Sequence, residues 1–211
     1  MLVPGLILAG GRSSRMGSPK PILPVDRKDT FLTRLIRTLG SAGVDEVVVV
    51  VSVDGPLDAI KSALRELPYS IRIVENPTPQ NGQLSSLQCG LNVLDRPGVD
   101  GILMTLVDLP LVSPKTVRTL LDIYKKTRAP IVRPSRLDGT AHGHPVIFDR
   151  KLFDELRLAS VKAGAKPIVR AYESEIVNVS VEDEGAFIDI DTPTDYEQIF
   201  GRSLSEAIGT R

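Results

Sequence analysis

The chain has 211 residues, enough at roughly 100–200 per domain for one sizeable domain or two small ones. Its 26 Lys and Arg balance 26 Asp and Glu, so no global field draws nucleic acid or an anionic membrane, and any anion must be held locally. Aromatic residues make up 4%, Trp is absent and Cys89 is the single cysteine, which excludes a platform for stacking bases, an intrachain disulfide and a cysteine-based zinc site.

The opening MLVPGLIL is apolar but lacks a basic leading segment and a small-residue cleavage site. No other apolar run approaches the ~18 residues needed to cross a bilayer, so the sequence predicts a soluble cytoplasmic protein. A strand is predicted over Leu2–Leu8, running into Ala9-Gly10-Gly11-Arg12-Ser13-Ser14-Arg15-Met16-Gly17-Ser18-Pro19-Lys20. The glycines of that loop let backbone N–H groups approach phosphate oxygens, and Arg15 and Lys20 supply positive charge beside them. The spacing is neither that of a Walker loop nor G-x-G-x-x-G; composition and position suit a triphosphate cradle, with a basic surface loop as the bland alternative.

Apolar residues at i, i+3, i+4 and i+7 predict a helix over Thr30–Leu39, with Gly40 as its stop, and another over Leu57–Leu67. Strands are predicted over Glu46–Val51 and Ile71–Val74. In Asn81-Gly82-Gln83-Leu84-Ser85-Ser86-Leu87, Gly82 permits close approach, Gln83 can read a base edge, and Ser85 or Ser86 can cap a helix that continues to Leu94. The strand Gly101–Leu106 leads into Asp108, a hard oxygen ligand suited to Mg²⁺ at the ligand-binding edge of a sheet, or else a cap or turn former. A helix over Pro114–Tyr124 starts from Ser113.

The runs EVVVVV and GILMTL are continuously apolar, as in strands covered on both faces, which predicts a three-layer α/β fold with a mostly parallel sheet. After about residue 130 the turn residues Arg133-Pro134, Asp138-Gly139 and Gly143-His144-Pro145 interrupt shorter strands, Ile131–Val132, Val146–Phe148 and Ile176–Val181, read as a second lobe or an antiparallel extension. Asp189 and Asp191 would share a face of an extended segment, with Asp191 either a metal ligand or a cap before Thr192-Pro193. Residues 201–211 read as a tail.

LILAGGRSSRMGSPK, LVDLP, GHPVIF and IDIDTPTD occur in the order seen in the molybdenum cofactor nucleotidyltransferases, which this chain resembles over roughly residues 5–200. The resemblance implies a GT-A-like nucleotide-diphospho-sugar transferase fold in one domain, with residues 1–130 as nucleotide-binding half and 131–200 as acceptor-binding half. It also implies a reaction in which an acceptor phosphate attacks the α-phosphorus of a nucleoside triphosphate with Mg²⁺. Carried over, Ala9, Gly10, Gly11 and Arg12 belong to the donor loop, Arg15 and Lys20 hold the triphosphate, and Asp108 and Asp191 hold the metal, Asp189 being the weaker candidate. Gly82, Gln83, Ser85 and Ser86 border base and ribose, and His144 faces the acceptor.

The segments Gly82–Leu91, Gly143–Phe148 and Gly164-Ala165-Lys166 look closer to the cytidylyltransferase branch, whereas Leu8-Ala9-Gly10-Gly11 looks like the guanylyl-transferring one. The expected donor is therefore CTP with a molybdopterin-type acceptor. GTP, or a sugar-phosphate or polyol-phosphate acceptor, is the alternative, as is a nucleotide-binding protein that only retains the fold. Contact with a molybdoenzyme or its chaperone also belongs to the expectation.

Overall fold

The computed structural model describes residues 1–209. Its seven strands form one sheet in the order β3-β2-β1-β4-β6-β5-β7. They are β1 Gly5–Ala9, β2 Glu46–Ser52, β3 Ser70–Asn76, β4 Gly101–Leu106, β5 Ile131–Ser135, β6 Val146–Asp149 and β7 Val177–Ser180. All neighbouring pairs are parallel except the two that involve β6, which runs against both β4 and β5. In the turn-rich second half only β6 is reversed; β5 and β7 run with β4 again and prolong the same sheet.

Successive strand residues point to opposite faces, and both faces here are covered. On one side Ile7, Val47, Val49 and Leu103 pack with Phe31, Leu35 and Leu39 of helix α1 (Phe31–Ser41) and with Val117, Leu120 and Tyr124 of α4 (Pro114–Thr127). On the other, Leu6, Val48, Val50 and Ile102 meet Leu84, Leu87 and Leu91 of α3 (Gln83–Leu94), and Phe153 and Leu156 of α5 (Phe153–Leu158). This explains why β2 and β4 read as unbroken apolar runs.

Several boundaries depart from the sequence expectation for identifiable reasons. β1 begins at Gly5 because Pro4 has no N–H to give the ladder, and Leu2 makes only an isolated bridge to Val99. Gly40 does not stop α1: it lies within the helix, where a Cβ would stand 2.0 Å from Tyr69 Cε1, so its smallness serves packing. Helix α2 (Leu57–Leu64) ends before Leu67, whose successor Pro68 disfavours helical backbone there. Arg133 and Pro134, read as a turn, lie within β5, whose ladder with β7 tolerates the proline.

The C-terminal helices are α6 (Lys166–Ala171), α7 (Pro193–Phe200) and α8 (Leu204–Gly209). The segment 201–211 read as a tail therefore carries α8, with Ala207 buried; residues 210 and 211 lie outside the described residues. No described helix is long and apolar enough to cross a membrane.

Candidate active site

β1 and β4 end side by side, and the loop after each opens at the same edge of the sheet. The loop after β1 is folded on itself: Ser13 has φ 49°, its carbonyl accepts from Met16 N (3.1 Å) and Gly17 N (3.0 Å), and its hydroxyl accepts from Lys20 N (3.2 Å). Met16 is buried and pins this loop to the core. Gly10 is needed for close approach, because a Cβ there would stand 3.2 Å from Ser86 Oγ and 3.3 Å from Ser52 N.

Lys20 begins a short 3-10 turn and is only 7% exposed. Its Nζ donates to Asp108 Oδ2 at 2.9 Å and to Asp191 Oδ1 at 2.5 Å. Arg15 donates to Asp191 Oδ2 at 2.8 Å from the rim, its side chain 70% exposed. The Lys20 hydrogen bond, helped by the charge of Arg15 and opposed by partial burial, holds the Asp191 carboxyl below its ordinary pKa. Asp189 lies within electrostatic reach, and burial together with Asp108 and Asp191 pushes its pKa up.

Asp191 does not cap α7. Thr192 does so in a reciprocal pairing with Asp195, which leaves the Asp191 carboxylate to Lys20 and Arg15. Asp108 is anchored through its backbone carbonyl, which accepts from Ile190 N at 2.9 Å and so draws the acidic segment to the end of β4.

A cavity of about 340 Å³ opens here, lined by Gly10, Gly11, Arg12, Arg15 and Lys20 from the loop, by Gly82, Gln83 and Ser86, and by Asp108 and Asp191. Gly82, with φ 81°, leads into α3 without a side-chain cap. Ser85 and Ser86 are not caps: both lie inside the helix and accept from Asn76 Nδ2, at 2.8 and 3.0 Å. Ser85 also donates to the Gly82 carbonyl at 2.8 Å, and it does not line the cavity. Ala9 is the last residue of β1 and turns into the core. Asn76 does not line the cavity but supports it through both serines; the motif reading passed it over, and its position at the C-terminal end of a parallel strand was the available signal.

A second cavity, about 460 Å³, adjoins the first and shares Leu8 and Gln83 with it. Its floor is apolar, including Leu84, Leu87, Met104, Val146 and Phe148, and Arg133, Lys162 and Lys166 add positive charge. Arg133 Nε donates to Asn178 Oδ1 at 2.8 Å. His144 lines this cavity, not the first, and burial keeps its pKa low. His142 is exposed.

The residues present fit a divalent cation. Asp108 Oδ1 is buried without a hydrogen-bond partner, and Asp108 and Asp191 already converge on one cation, the Lys20 ammonium. Among the described residues no group of three or more His, Cys, Asp or Glu side chains could hold a metal alone. Two carboxylates suit Mg²⁺, which commonly completes its shell with substrate phosphates and water.

A family model described as the MobA-like NTP transferase domain matches residues 5–176. A relative in Rhodopirellula baltica, named "Probable molybdenum cofactor guanylyltransferase", is 31% identical over 134 residues, 64% of this chain and 61% of that protein. The nicotine blue oxidoreductase of Paenarthrobacter nicotinovorans is 31% identical over 195 residues, 90% of this chain and 92% of that protein. Among solved structures, that of Rv0371c from Mycobacterium tuberculosis H37Rv superposes with a TM-score of 0.78 at 28% identity, over 96% of this chain and 100% of the other. A crystal structure of the same protein in complex with manganese gives a TM-score of 0.75 at 27% identity, over 95% and 99% of the two chains. Because the matched span runs from the first strand of the glycine-rich loop to the threshold of β7, the chain belongs to the MobA-like NTP transferase family and is a nucleotidyltransferase.

Proposed function

We propose that the chain transfers the nucleoside monophosphate of a Mg²⁺-bound triphosphate to the phosphate of a pterin-type acceptor. Residues 1–130 would form the donor half and residues 131–200 the acceptor half. The observation that carries this reading is the meeting of Asp108 and Asp191 at Lys20 in the glycine-rich cavity, beside a second cavity that shares Leu8 and Gln83 with it.

In the reaction an acceptor phosphate oxygen bonds to the α-phosphorus while the bond from that phosphorus to the bridging oxygen breaks, and pyrophosphate leaves with the bonding pair. An acceptor phosphate is already nucleophilic at pH 7, so no covalent enzyme intermediate and no strong base are required. The work is to hold two polyanions together and to offset charge on the leaving group. Gly10, Gly11 and Arg12 cradle the triphosphate, Arg15 and Lys20 face its leaving end, and Gln83 and Ser86 border base and ribose, with Gly82 allowing their approach. The buried serine pair lets Ser85 support the Gly82–Gln83 turn from behind. Asp108 and Asp191 would hold Mg²⁺, which supplies charge neutralisation to the phosphates.

The second cavity suits the acceptor: an apolar floor takes a flat ring, and Arg133, Lys162 and Lys166 attract its anionic groups, with His144 in the wall. CTP is the donor favoured by the segments around Gln83, His144 and Lys166. GTP is the second reading, favoured by Leu8-Ala9-Gly10-Gly11 and by the guanylyltransferase name of a relative. Pyrophosphate release should be measured with each of the four common triphosphates, Mg²⁺ and a phosphorylated pterin. Release with CTP or GTP that depends on the pterin supports the proposal; release only with a sugar phosphate or polyol phosphate replaces the acceptor, and none with any acceptor sinks it.

A further inference from the structure

We infer that the Lys20 ammonium holds the place of the divalent cation in the free protein, and that the cation enters as the donor triphosphate draws Lys20 away. The inference rests on the proposed assignment of Asp108 and Asp191 as the carboxylates that meet the ion.

Lys20 is not an ordinary phosphate-loop lysine waiting in solvent. It is 7% exposed, and its Nζ bridges carboxylates contributed by segments 88 and 171 residues away in sequence. One cation therefore already occupies the point at which Asp108 and Asp191 converge. The substitution is incomplete, since an ammonium has three N–H groups and two are spent on Asp108 Oδ2 and Asp191 Oδ1. Asp108 Oδ1 stays buried and unpaired, which is costly for a carboxylate oxygen.

Two positive charges cannot share this point. At separations of a few ångströms in a partly buried site their repulsion is large, so the ion and the ammonium exclude one another. The alternative place for the ammonium is elsewhere in the same cavity, beside the loop residues Gly10, Gly11 and Arg15 that face the phosphates. With a triphosphate there, Lys20 exchanges one set of charge-assisted hydrogen bonds for another. Without it, the ammonium leaves two carboxylates for water alone. Binding of cation and triphosphate is thereby coupled, and the coupling is reciprocal. The device would keep the free protein from binding divalent ions unproductively.

The test compares the folded wild-type chain with Lys20→Met, using Mn²⁺ alone and no nucleotide. Mn²⁺ affinity, followed by electron paramagnetic resonance, should be roughly tenfold or more higher in the variant. Its melting temperature should be lower than wild type without metal and restored by Mn²⁺, while the wild-type melting temperature hardly moves. If the wild-type protein gains as much thermal stability from Mn²⁺ as the variant, the ion and Lys20 bind side by side and the inference is overturned. Equal Mn²⁺ affinity in the two proteins overturns it too. Should Lys20→Met fail to fold, Lys20→Gln carries the same expectations, since its amide retains a donor for the carboxylates. Adding Asp108→Asn to the Lys20 variant should abolish the rescue. Rescue that persists there overturns the carboxylate assignment as well, whereas a lost rescue with equal affinities in the first comparison overturns the place-holding role alone.

Discussion

Asn76, the last residue of β3, donates from Nδ2 to the hydroxyls of both Ser85 (2.8 Å) and Ser86 (3.0 Å), and so fastens an edge strand to the first turn of α3. Its Oδ1 accepts from Thr78 N at 2.9 Å, and the side chain is fully buried. Asn76→Ala removes the donor for two buried hydroxyls and should lower stability by about 1–3 kcal/mol. Because Gly82, Gln83 and Ser86 line the glycine-rich cavity proposed to hold the donor, the donor KM should rise as well. Thermal denaturation and donor titration would show both changes, and an unshifted melting temperature would refute the first.

Gly40→Ala sets two effects against each other. Alanine gains roughly 1 kcal/mol of helix propensity over glycine, but the new Cβ would stand 2.0 Å from the Tyr69 ring. Overpacking of that kind costs typically about 1–3 kcal/mol, so the variant should be less stable in urea. Trimming the ring with Tyr69→Ala in the same chain should remove the clash and leave the propensity gain visible.

Asp108→Asn should leave the fold intact, because the amide oxygen can still accept from Lys20 and the backbone carbonyl still receives Ile190 N. The lost negative charge should cut Mg²⁺-dependent transfer by about 10²–10³, in the range found for other charge-stabilising groups. Circular dichroism reports the first expectation and pyrophosphate release the second. Near-normal release would return Asp108 to a structural role.

Acid should weaken the site through Asp191. Lys20 and Arg15 lower its carboxyl pKa in the folded chain, so the folded state takes up the proton less readily than the unfolded state. The stabilisation is complete above the unfolded value of about 3.9 and is lost as pH falls through the folded value. Urea midpoints of wild type and Asp191→Asn should therefore differ by a constant amount near neutrality and converge below about pH 4. A gap that widens on acidification would contradict the direction of the shift.

Local patterning was enough to anticipate the alternation of strands and helices. The 3.6-residue spacing gave the helix of Phe31, Leu35 and Leu39, and the unbroken valines of β2 announced a strand covered on both sides. Sequence could not show that Lys20 is buried, because its partners lie far along the chain and only the strand order brings them together. Gly40 was misread for a related reason, since Tyr69 belongs to another element. Ser85 and Ser86 carried a capping composition, but they lie within the first turn of α3, past the cap position Gly82, and bond Asn76 instead. Arg133 was hidden by the proline beside it, which disguised a strand as a turn.

Strand β6 runs against its neighbours, and so brings its beginning, not its end, to the edge where β1 and β4 finish. Residues 136–145 consequently emerge beside Asp108 as a long excursion between two strands already locked into the sheet, while the parallel frame of β1, β2 and β4 is complete by residue 106. Such a chain can lengthen, shorten or rewrite that excursion without disturbing the register of the strands that present the glycine-rich loop. The excursion is tied instead to the acidic segment: His144 N donates to the Ala186 carbonyl at 2.9 Å, and a Cβ on Gly143 would stand 2.1 Å from that oxygen, so a change there would reach Asp191 before it reached the glycine-rich loop.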